Sequence, residues 1–289
     1  MMKLIFILCL SVFLVLAGCN SDDKVSTKSQ KTKTDIDSKK MENHKDQGNS
    51  KKDTNKSAIH LSDKQRLALA FYADEAGQYT LTKNEILTGI YEYKKGTETE
   101  KAQTEDILLE KMPPINNAPT GMHFYYVYPP KGQFASIIGM NKNKIFMCGT
   151  QGAVTDYQLL LKSGIELDIN NLYQKNKYNK SLPEMEKKIK IVNRDESIKL
   201  FDPDKNNIGM MAHMRSQLYR MIREFGGELN NNAYLWDNIR LDKDGNWTVN
   251  YRNHDGEILG TYKFVNDKLI KLDQNGNKIK EKKITIREE

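Results

Sequence analysis

The chain has 289 residues, enough for one large or two modest domains. Hydrophobic residues make up 38% and charged residues 29%, which excludes collagen-like, low-complexity and polytopic membrane proteins as whole-chain classes. The net charge of +7 is a mild excess of 45 basic over 38 acidic groups. The three cysteines, Cys9, Cys19 and Cys148, exclude a disulfide-stapled scaffold, since two of them precede residue 20.

The first residues have the pattern of an export signal. Lys3 precedes an apolar run at residues 4–17 that is broken only by Ser11. A spanning helix needs about 20 apolar residues, whereas a signal-peptide core has about 7–15, so the run fits a signal peptide. The sequence therefore predicts a signal peptide at residues 1–18.

The segment Leu16-Ala17-Gly18-Cys19 resembles the lipobox of bacterial lipoproteins. The resemblance implies that the Cys19 thiol receives a diacylglyceryl group and that a dedicated peptidase cuts the chain before it. It also implies that the protein is held at the extracellular face of the cell membrane by acyl chains on Cys19. Two acyl chains give the two hydrophobic signals that stable anchoring requires. The alternative is an ordinary signal peptide that ends in a cysteine.

Residues 19–58 are predicted to be a disordered tether. After Cys19 the segment has no aromatic residue, and its larger apolar residues are only Val25, Ile36 and Met41. Such a composition buries too little surface to offset the entropy of ordering. Its ten lysines and seven acids account for +3 of the net charge. Residues 59–289 also carry only +3, which argues against a strong electrostatic surface on the body.

Residues 59–195 are predicted to form an α+β domain. Ser62 and Thr82 each begin a capping box and predict two helix starts. Further helices are predicted at residues 156–162, with Gly164 as the C′ residue, and at residues 170–176. Strands, expected to pair antiparallel because they are adjacent in sequence, are predicted at residues 90–93, 105–112, 122–128, 134–140 and 144–148.

Residues 205–289 are predicted to form a long helix packed on an antiparallel β-meander. The helix, at residues 208–225, has an apolar stripe that needs a cover, and the strands after it alternate with one apolar face to offer. The stripe consists of Ile208, Met211, Leu218, Ile222 and Phe225, and its expected partners are Trp247, Tyr251 and Ile258. The strands, several joined by Asp-Gly or Asn-Gly turns, are predicted at residues 235–241, 247–252, 257–264, 268–272 and 278–286.

Cys148 is the one cysteine of the predicted body, and it has two interpretations. It is either a buried apolar residue or a nucleophile paired with one of the four histidines of the body, His60, His123, His213 or His254. The sequence contains no HExxH, GxSxG, Walker A or dinucleotide-binding motif. No catalytic residue, cofactor or metal site is therefore assigned.

Two groups in the C-terminal part have a metal-binding interpretation beside a structural one. Met210, His213 and Met214 share one face of the long helix, the Met/His face, which Gln217 and Met221 extend. These residues either pack in the protein or offer ligands for Cu(I). The turn at residues 242–246, Asp-Lys-Asp-Gly-Asn, begins like a calcium loop. It has Asn253 where the twelfth position of such a loop holds a bidentate glutamate, and a hairpin turn explains it without metal.

Two segments of the predicted α+β domain have a ligand-binding interpretation. The loop at residues 149–152, Gly-Thr-Gln-Gly, lies between a strand and a helix and is either a plain turn or a phosphate-cradling loop. The aromatic residues Phe124, Tyr125, Tyr126 and Tyr128 are either core residues or a stacking platform for a sugar or base. Alternate residues of a strand point to opposite faces, so half of them are expected in the core.

From about residue 61 to residue 162 the chain resembles surface lipoproteins of low-GC Gram-positive bacteria. The resemblance rests on the Ser-Asp-Lys-Gln helix start at residues 62–65, the Tyr-Thr-Leu-Thr-Lys turn at residues 79–83 and the loop at residues 149–152. It covers about a third of the chain and implies a surface location without implying an activity.

The sequence thus predicts a membrane-anchored extracellular lipoprotein whose body is a non-enzymatic binding module for an unidentified envelope partner or ligand. No nucleic acid and no cofactor are expected to bind. Two alternatives stay open: an envelope hydrolase whose active-site residues follow no known motif, and a module that binds wall polyanions. A concentrated positive face would favour the polyanion-binding module, whereas a pocket with convergent carboxylates or a Cys–His pair would favour the hydrolase.

Overall fold

The computed structural model describes residues 60–200, 212–227 and 229–284, and all of them belong to one unit, Lys56–Glu289. The predicted signal peptide, the predicted tether and Cys19 lie outside the described residues. The fold is α+β, as the sequence predicts, with short helices, two six-stranded sheets and a two-stranded hairpin in the described part. The predicted units at residues 59–195 and 205–289 each hold one six-stranded sheet.

Three short helices and a hairpin come first in the described chain. They are α1 (Asp63–Ala70), α2 (Ala76–Tyr79), α3 (Lys83–Thr88), β1 (Ile90–Lys95) and β2 (Glu98–Gln103). Both predicted capping boxes are confirmed: Ser62 Oγ accepts from the Gln65 N–H at 3.1 Å, and Thr82 Oγ1 accepts from the Glu85 N–H at 3.2 Å. Gly89 caps the C-terminus of α3, and its φ of 73° is left-handed and suits glycine.

A mixed sheet follows, with the strand order β7-β6-β5-β4-β3-β8. Its strands are β3 (Ile107–Lys111), β4 (His123–Tyr128), β5 (Ala135–Met140), β6 (Lys144–Thr150), β7 (Gly164–Asp168) and β8 (Ile189–Val192). Its helices are α4 (Tyr157–Leu161), α5 (Ile169–Asn176), α6 (Leu182–Lys188) and α7 (Arg194–Leu200). Neighbours pair antiparallel, as predicted, except β3 and β8, which are parallel because α5 and α6 return the chain to the far edge of the sheet.

Gly164 does not end α4, which corrects the sequence-based expectation. The helix ends at Leu161, and Gly164 is the first residue of β7. A Cβ at Gly164 would come within 2.6 Å of the Met147 carbonyl oxygen and 2.7 Å of the Cys148 Cβ. Glycine is therefore needed at this position for the close approach of β7 to β6, and not for a helix C-cap.

Both faces of the mixed sheet are covered by helices. On one face, α1, α3, α5 and α6 pack on a core that includes Tyr125, Ile138 and Met147. On the other face, α4 packs on a smaller core that includes Phe124 and Phe146. Consecutive strand residues therefore divide between two cores, as the two-residue period of a strand requires.

The C-terminal part consists of α8 (Ala212–Glu224) and an antiparallel meander. Its strands are β9 (Leu235–Trp236), β10 (Arg240–Leu241), β11 (Trp247–Arg252), β12 (Ile258–Val265), β13 (Lys268–Asp273) and β14 (Lys278–Lys283), in the order β10-β11-β12-β13-β14, with β9 also on β11. The single strand predicted at residues 235–241 is wrong: it is divided into β9 and β10. The division lies at Asp237, whose carboxylate turns into the protein to bind Arg252.

The predicted packing of the helix on the meander is confirmed for its described part, α8, whereas Ile208 and Met211 of the predicted stripe lie outside the described residues. Leu218, Ile222 and Phe225 are buried against a sheet face formed by Trp247, Val249, Tyr262 and Leu269, and Tyr251 packs at the border of this core. Two expectations are corrected. Met221, which the sequence places on the Met/His face, is 3% exposed inside the core, and Ile258 is half-buried outside it.

Candidate functional site

Cys148 lies inside the smaller core of the mixed sheet. Its side chain is 0% exposed and packs among residues such as Phe146, Tyr157 and Leu160. Burial raises the pKa of the thiol to about 12, so the thiolate that a nucleophile requires does not form near neutral pH. His60, His123 and His254 are exposed, and the side chain of His213 lies outside the described residues. This geometry favours the interpretation of Cys148 as a buried apolar residue.

The metal-binding interpretation of the long helix falls mostly outside the described residues. Met210 precedes the described start of α8, and nothing is described of the side chains of His213 and Met214. Of the residues that the structure does describe, no three His, Cys, Asp or Glu residues are grouped so that they could hold a metal ion.

The turn at residues 242–246 is a hairpin turn whose carboxylate is already bonded. Asp242 Oδ1 accepts from the N–H groups of Asp244 and Asn246, each at 2.9 Å, and Oδ2 accepts from Asn246 Nδ2 at 3.0 Å. Asp273 is bonded in the same way by Asn275 and Asn277. The pKa of Asp242 is lowered mainly by the hydrogen bond from the Asn246 side chain. The carboxylates of Asp242 and Asp273 therefore stabilise their turns.

The aromatic residues of β4 divide between the two cores. Phe124 and Tyr125 are buried on opposite faces, and Tyr126 and Tyr128 are half-buried. The ring centroids of Phe124 and Phe146 lie 6.3 Å apart at a T-shaped angle of 77°. Two of the four residues are thus core residues, as expected, and the strand does not present all four rings on one platform.

Residues 149–151 of the loop at residues 149–152 line a cavity of about 460 Å³. The other lining residues are Gln78, Tyr79, Phe134 and Ser163, and the lining contains no charged side chain. α4 starts beyond the loop, and the carboxylate of Asp156 already accepts from the Leu159 N–H at its first turn, at 3.1 Å. The arrangement lacks the cation and the free helix start that phosphate binding uses, which favours the plain turn.

A second cavity, of about 330 Å³, lies where the described chain begins. It is lined by His60, Leu61, Gln65, Leu69, Tyr173, Leu182, Pro183 and Glu186. Glu186 is the only acidic residue among them, and its Oε1 accepts from Ser62 Oγ at 3.3 Å. The lining therefore brings no pair of carboxylates together.

The most buried charged cluster of the described residues is centred on Arg252, which is 0% exposed. Its Nε and Nη2 donate to the two oxygens of Asp237 at 2.6 and 2.7 Å. Its Nη1 and Nη2 donate to Glu184 of α6, each at 2.8 Å, and Nη1 also donates to the Gly256 carbonyl oxygen at 2.9 Å. All five N–H groups are used, so this cluster joins α6 to the meander and offers no donor to a ligand.

Positive charge is concentrated on the last two strands. We call residues 268–283, which are β13, β14 and their turn, the lysine hairpin. It contains six lysines and two acids, a net charge of +4, whereas residues 59–289 together carry only +3. The net charge of the whole body is small, as expected. The charges are not spread evenly, however, and the lysine hairpin is strongly positive.

One face of the lysine hairpin carries three lysines beside the end of α8. Lys280 Nζ lies 3.4 Å from the Phe225 carbonyl oxygen and 4.8 Å from the centre of the Phe225 ring. Lys282 Nζ lies 3.5 Å from the Glu224 carbonyl oxygen. Lys271 is the cross-strand partner of Lys280, so it extends from the same face. The last carbonyl groups of a helix attract cations, which accounts for the position of the two lysines of β14.

Aromatic rings border these lysines. Tyr234, Trp236, Tyr251 and Tyr262 form a continuous group, with Trp236 5.5 Å from Tyr251 and 6.1 Å from Tyr262 between ring centres. Lys271 Nζ lies 5.7 Å from the centre of the Tyr251 ring and 5.6 Å from that of Tyr262. Lysine and aromatic rings at these distances attract each other. Sequence reasoning misses this group because its members lie on three strands and a loop.

The chain matches no protein-family model, and neither a curated protein nor a solved structure resembles it significantly. No helix of the described residues is long and apolar enough to cross a membrane.

Proposed function

We propose that this chain is a bacterial membrane lipoprotein whose body is a binding module on the extracellular face. Cys19 carries the acyl chains, the following segment to residue 58 is a tether, and residues 59–289 meet the ligand. The observation that carries the proposal is the segment Leu16-Ala17-Gly18-Cys19 at the end of the apolar run of residues 4–17. Two acyl chains on Cys19 would anchor the protein stably.

The length of the predicted tether fits this role. A polar coil of about 40 residues has a root-mean-square end-to-end distance of about 35 Å. The body would therefore move through the layer outside the membrane instead of lying fixed against it. In that layer it can meet a protein, a peptide or a polymer of the envelope.

Two features of the body support binding as its role. The lysine hairpin presents a row of cations at the edge of a sheet, and aromatic rings lie beside them. The alternative is an envelope hydrolase. Cys148 could not serve such an enzyme as its nucleophile, because its thiol is buried. Asp242 and Asp273 could not serve it either, because their carboxylates are hydrogen-bonded within turns.

Metabolic labelling tests the anchor. Cells that express the full chain are grown with a tagged fatty acid, and label on the purified protein is measured for the wild type, Cys19→Ala and Cys9→Ala. We expect label on the wild type and on Cys9→Ala, because Cys9 belongs to the removed signal peptide, and none on Cys19→Ala. Equal labelling of Cys19→Ala and the wild type would refute the anchor.

Protease accessibility tests the location. A protease added to intact cells should digest the body of the wild type while a cytoplasmic marker protein stays intact. Protection of the body under conditions that digest a known surface protein would contradict an extracellular position. The two tests are independent, since a protein can be exported without being acylated.

A further inference from the structure

We propose that the lysine hairpin binds a linear polyanion, a polymer of repeated phosphate groups outside the membrane. The site consists of Lys271, Lys280 and Lys282 on the face beside the end of α8. The inference rests on the proposed function for the place where such a polymer is met, but the binding itself does not depend on acylation of Cys19.

The lysine hairpin holds the excess positive charge of the body. The lysine hairpin has a net charge of +4 while residues 59–289 sum to +3, so the remainder of the body is slightly acidic. The last turn of α8, which Lys280 and Lys282 approach, holds Arg223 and Glu224 and so adds no net charge. The positive charge of this region therefore comes from the lysine hairpin, and it attracts an anionic partner at a distance.

The pairing of β13 and β14 places two lysines of the site opposite each other. Lys271 lies directly opposite Lys280, on the α8 side of the lysine hairpin. Like charges directly opposite each other destabilise a sheet. This pair is under electrostatic repulsion when no anion is bound, and an anion bound beside both lysines relieves it.

The acids of the hairpin do not relieve the repulsion on the α8 side. Asp273 is bonded within its turn, and Glu281 pairs with Lys268 at 3.2 Å and Lys278 at 2.8 Å on the opposite face. No carboxylate of a described residue lies within ion-pair distance of Lys271, Lys280 or Lys282. Their nearby partners are aromatic rings and two backbone carbonyl oxygens at 3.4 and 3.5 Å.

The shape of the edge favours a polymer over a single small anion. β14 is the end strand of its sheet, and every described residue of it is exposed. Lys280 and Lys282 are two residues apart on one face, which separates them by about 7 Å along the strand. A single phosphate would contact one or two of these lysines, whereas a chain of phosphates contacts all of them and releases counterions at each.

The same edge is less suited to a membrane surface. The large apolar residue that β14 exposes is Ile279, which is 58% exposed and has Glu281 beside it on the strand. Membrane-surface elements combine cations with a broad apolar face, and this strand has none. Anionic lipid is therefore the competing outcome that the test must separate.

Binding to long-chain inorganic polyphosphate tests the inference. The protein is the chain from residue 20 to residue 289, which keeps all described residues and lacks the acylated cysteine, and its folding is checked by a cooperative melt. We expect salt-sensitive binding that falls at least tenfold in the triple variant Lys271→Gln/Lys280→Gln/Lys282→Gln. The variant with arginine at the same three positions should still bind, because it keeps the charge.

A matched triple variant separates the site from net charge. Lys64→Gln/Lys142→Gln/Lys187→Gln removes three exposed lysines from elsewhere in the body, with the same change in net charge. It should bind polyphosphate about as well as the wild type. An equal loss of affinity in both triple variants would overturn the site, since binding would then follow net charge alone.

Thermal stability gives a second measurement. It separates anion binding from a role in which the lysines only keep the edge strand from pairing with another chain. Without polyanion, Lys280→Gln should melt at about the same temperature as the wild type, because the repulsion with Lys271 that it removes is offset by the lost contacts with the Phe225 carbonyl oxygen and ring, and it should nevertheless bind more weakly. No polyphosphate binding by the wild type would overturn the inference. Binding to phosphatidylglycerol vesicles without binding to polyphosphate would overturn it in favour of lipid. Neither result bears on the labelling of Cys19.

Discussion

Glu184 of α6 accepts two hydrogen bonds from the guanidinium group of Arg252 of β11, each at 2.8 Å. Asp237 binds the same guanidinium from the other side, so one buried cation joins two carboxylates from different parts of the chain. These hydrogen bonds and the facing carboxylates raise the pKa of Arg252 despite its burial, and the side chain stays charged. Arg252 is therefore the buried ionic contact between the first part of the body and the meander, beside hydrogen bonds such as that from the Asn238 N–H to the Thr88 carbonyl oxygen at 2.7 Å.

Removal of this cation should destabilise the body strongly. Arg252→Ala leaves Asp237, which is 3% exposed, as an unpaired buried charge, and we expect a loss of about 3–5 kcal/mol in the free energy of unfolding. Glu184→Gln should cost less, about 1–2 kcal/mol, because that side chain is 27% exposed and water replaces part of the lost interaction. Denaturant unfolding followed by circular dichroism measures both.

A surface ion pair provides the control for the Arg252 prediction. Arg66 and Asp63 lie 2.7 Å apart on α1, and the Asp63 side chain is 63% exposed. Arg66→Gln should cost less than about 1 kcal/mol. Equal costs for Arg66→Gln and Arg252→Ala would show that the buried cluster does not hold the two parts together.

The parts of the fold that sequence predicts are those set by local chemistry. The capping boxes at Ser62 and Thr82 begin helices because their hydrogen bonds form within one turn of chain. β11 runs from Trp247 to Arg252 as predicted, because its alternation reports one buried face directly. The apolar stripe of α8 that ends at Phe225 packs on an apolar face of the meander, as its helical spacing predicts.

The parts that sequence does not predict depend on partners far along the chain. From the sequence alone, Arg252 is expected to be an exposed residue at the end of a strand. It is buried because the fold places Glu184, 68 residues earlier, next to it. β8 carries Lys190 within a lysine-rich stretch, and only its parallel partner β3 makes it a strand. The basic surface is hidden by averaging, since the net charge of the body does not show that Lys271 and Lys280 meet across two strands.

Cys148 should be unreactive in the folded protein. In the chain from residue 20 to residue 289 it is the only thiol, so labelling with an aromatic disulfide reports on it alone. Because burial raises the pKa of this thiol to about 12, we expect negligible labelling at pH 8 in native buffer and complete labelling in denaturant. Rapid labelling of the native protein would revive the nucleophile interpretation.

The raised pKa of Cys148 also predicts how the stability of the protein changes at high pH. The pKa of Cys148 is higher in the folded state than the ordinary value of 9.0, so the unfolded state loses its thiol proton first. Its contribution to stability is complete below pH 9.0 and is lost as the pH rises toward about 12. Cys148→Ala should remove this part of the alkaline decline in melting temperature, measured against the wild type over the same range.

The aspartates of the two Asp-x-x-Gly-Asn turns should make the protein acid-sensitive and calcium-indifferent. Hydrogen bonds from Asn246 and Asn277 lower the pKa values of Asp242 and Asp273 below the ordinary 3.8. Their stabilising effect is present above pH 3.8 and is lost as the pH falls through the lowered pKa values. Calcium should leave the melting temperature unchanged, and a clear rise with calcium would restore the metal interpretation.

The double variant with asparagine at residues 242 and 273 is the matched control for this prediction. In the related turn at Asn253, the amide oxygen accepts from the Glu257 N–H at 2.9 Å, so an uncharged side chain can make the turn bond. Asp242→Asn/Asp273→Asn should therefore stay folded at pH 7 and lose melting temperature less steeply than the wild type below pH 3.8. A parallel decline in both proteins would assign the acid sensitivity to other groups.

The predicted tether should contribute nothing to the stability of the body. Its polar composition motivates the prediction, since residues 20–58 offer almost no apolar surface to bury. Chains that start at residue 20 and at residue 58 should melt at the same temperature in the same buffer. A drop of several degrees in the shorter chain would mean that the segment packs on the body.

Ile222 tests the contact of α8 with the meander, on which the geometry of the lysine hairpin also depends. Its side chain is 0% exposed and lies in the core with Leu218, Tyr262 and Leu269, so Ile222→Ala should cost about 2–5 kcal/mol in the free energy of unfolding. Ile279→Ala, the same deletion at a residue that is 58% exposed, should stay within about 0.5 kcal/mol of the wild type. If Ile222→Ala cost no more than Ile279→Ala, the helix face would be exposed, and α8 itself would become the candidate partner-binding surface.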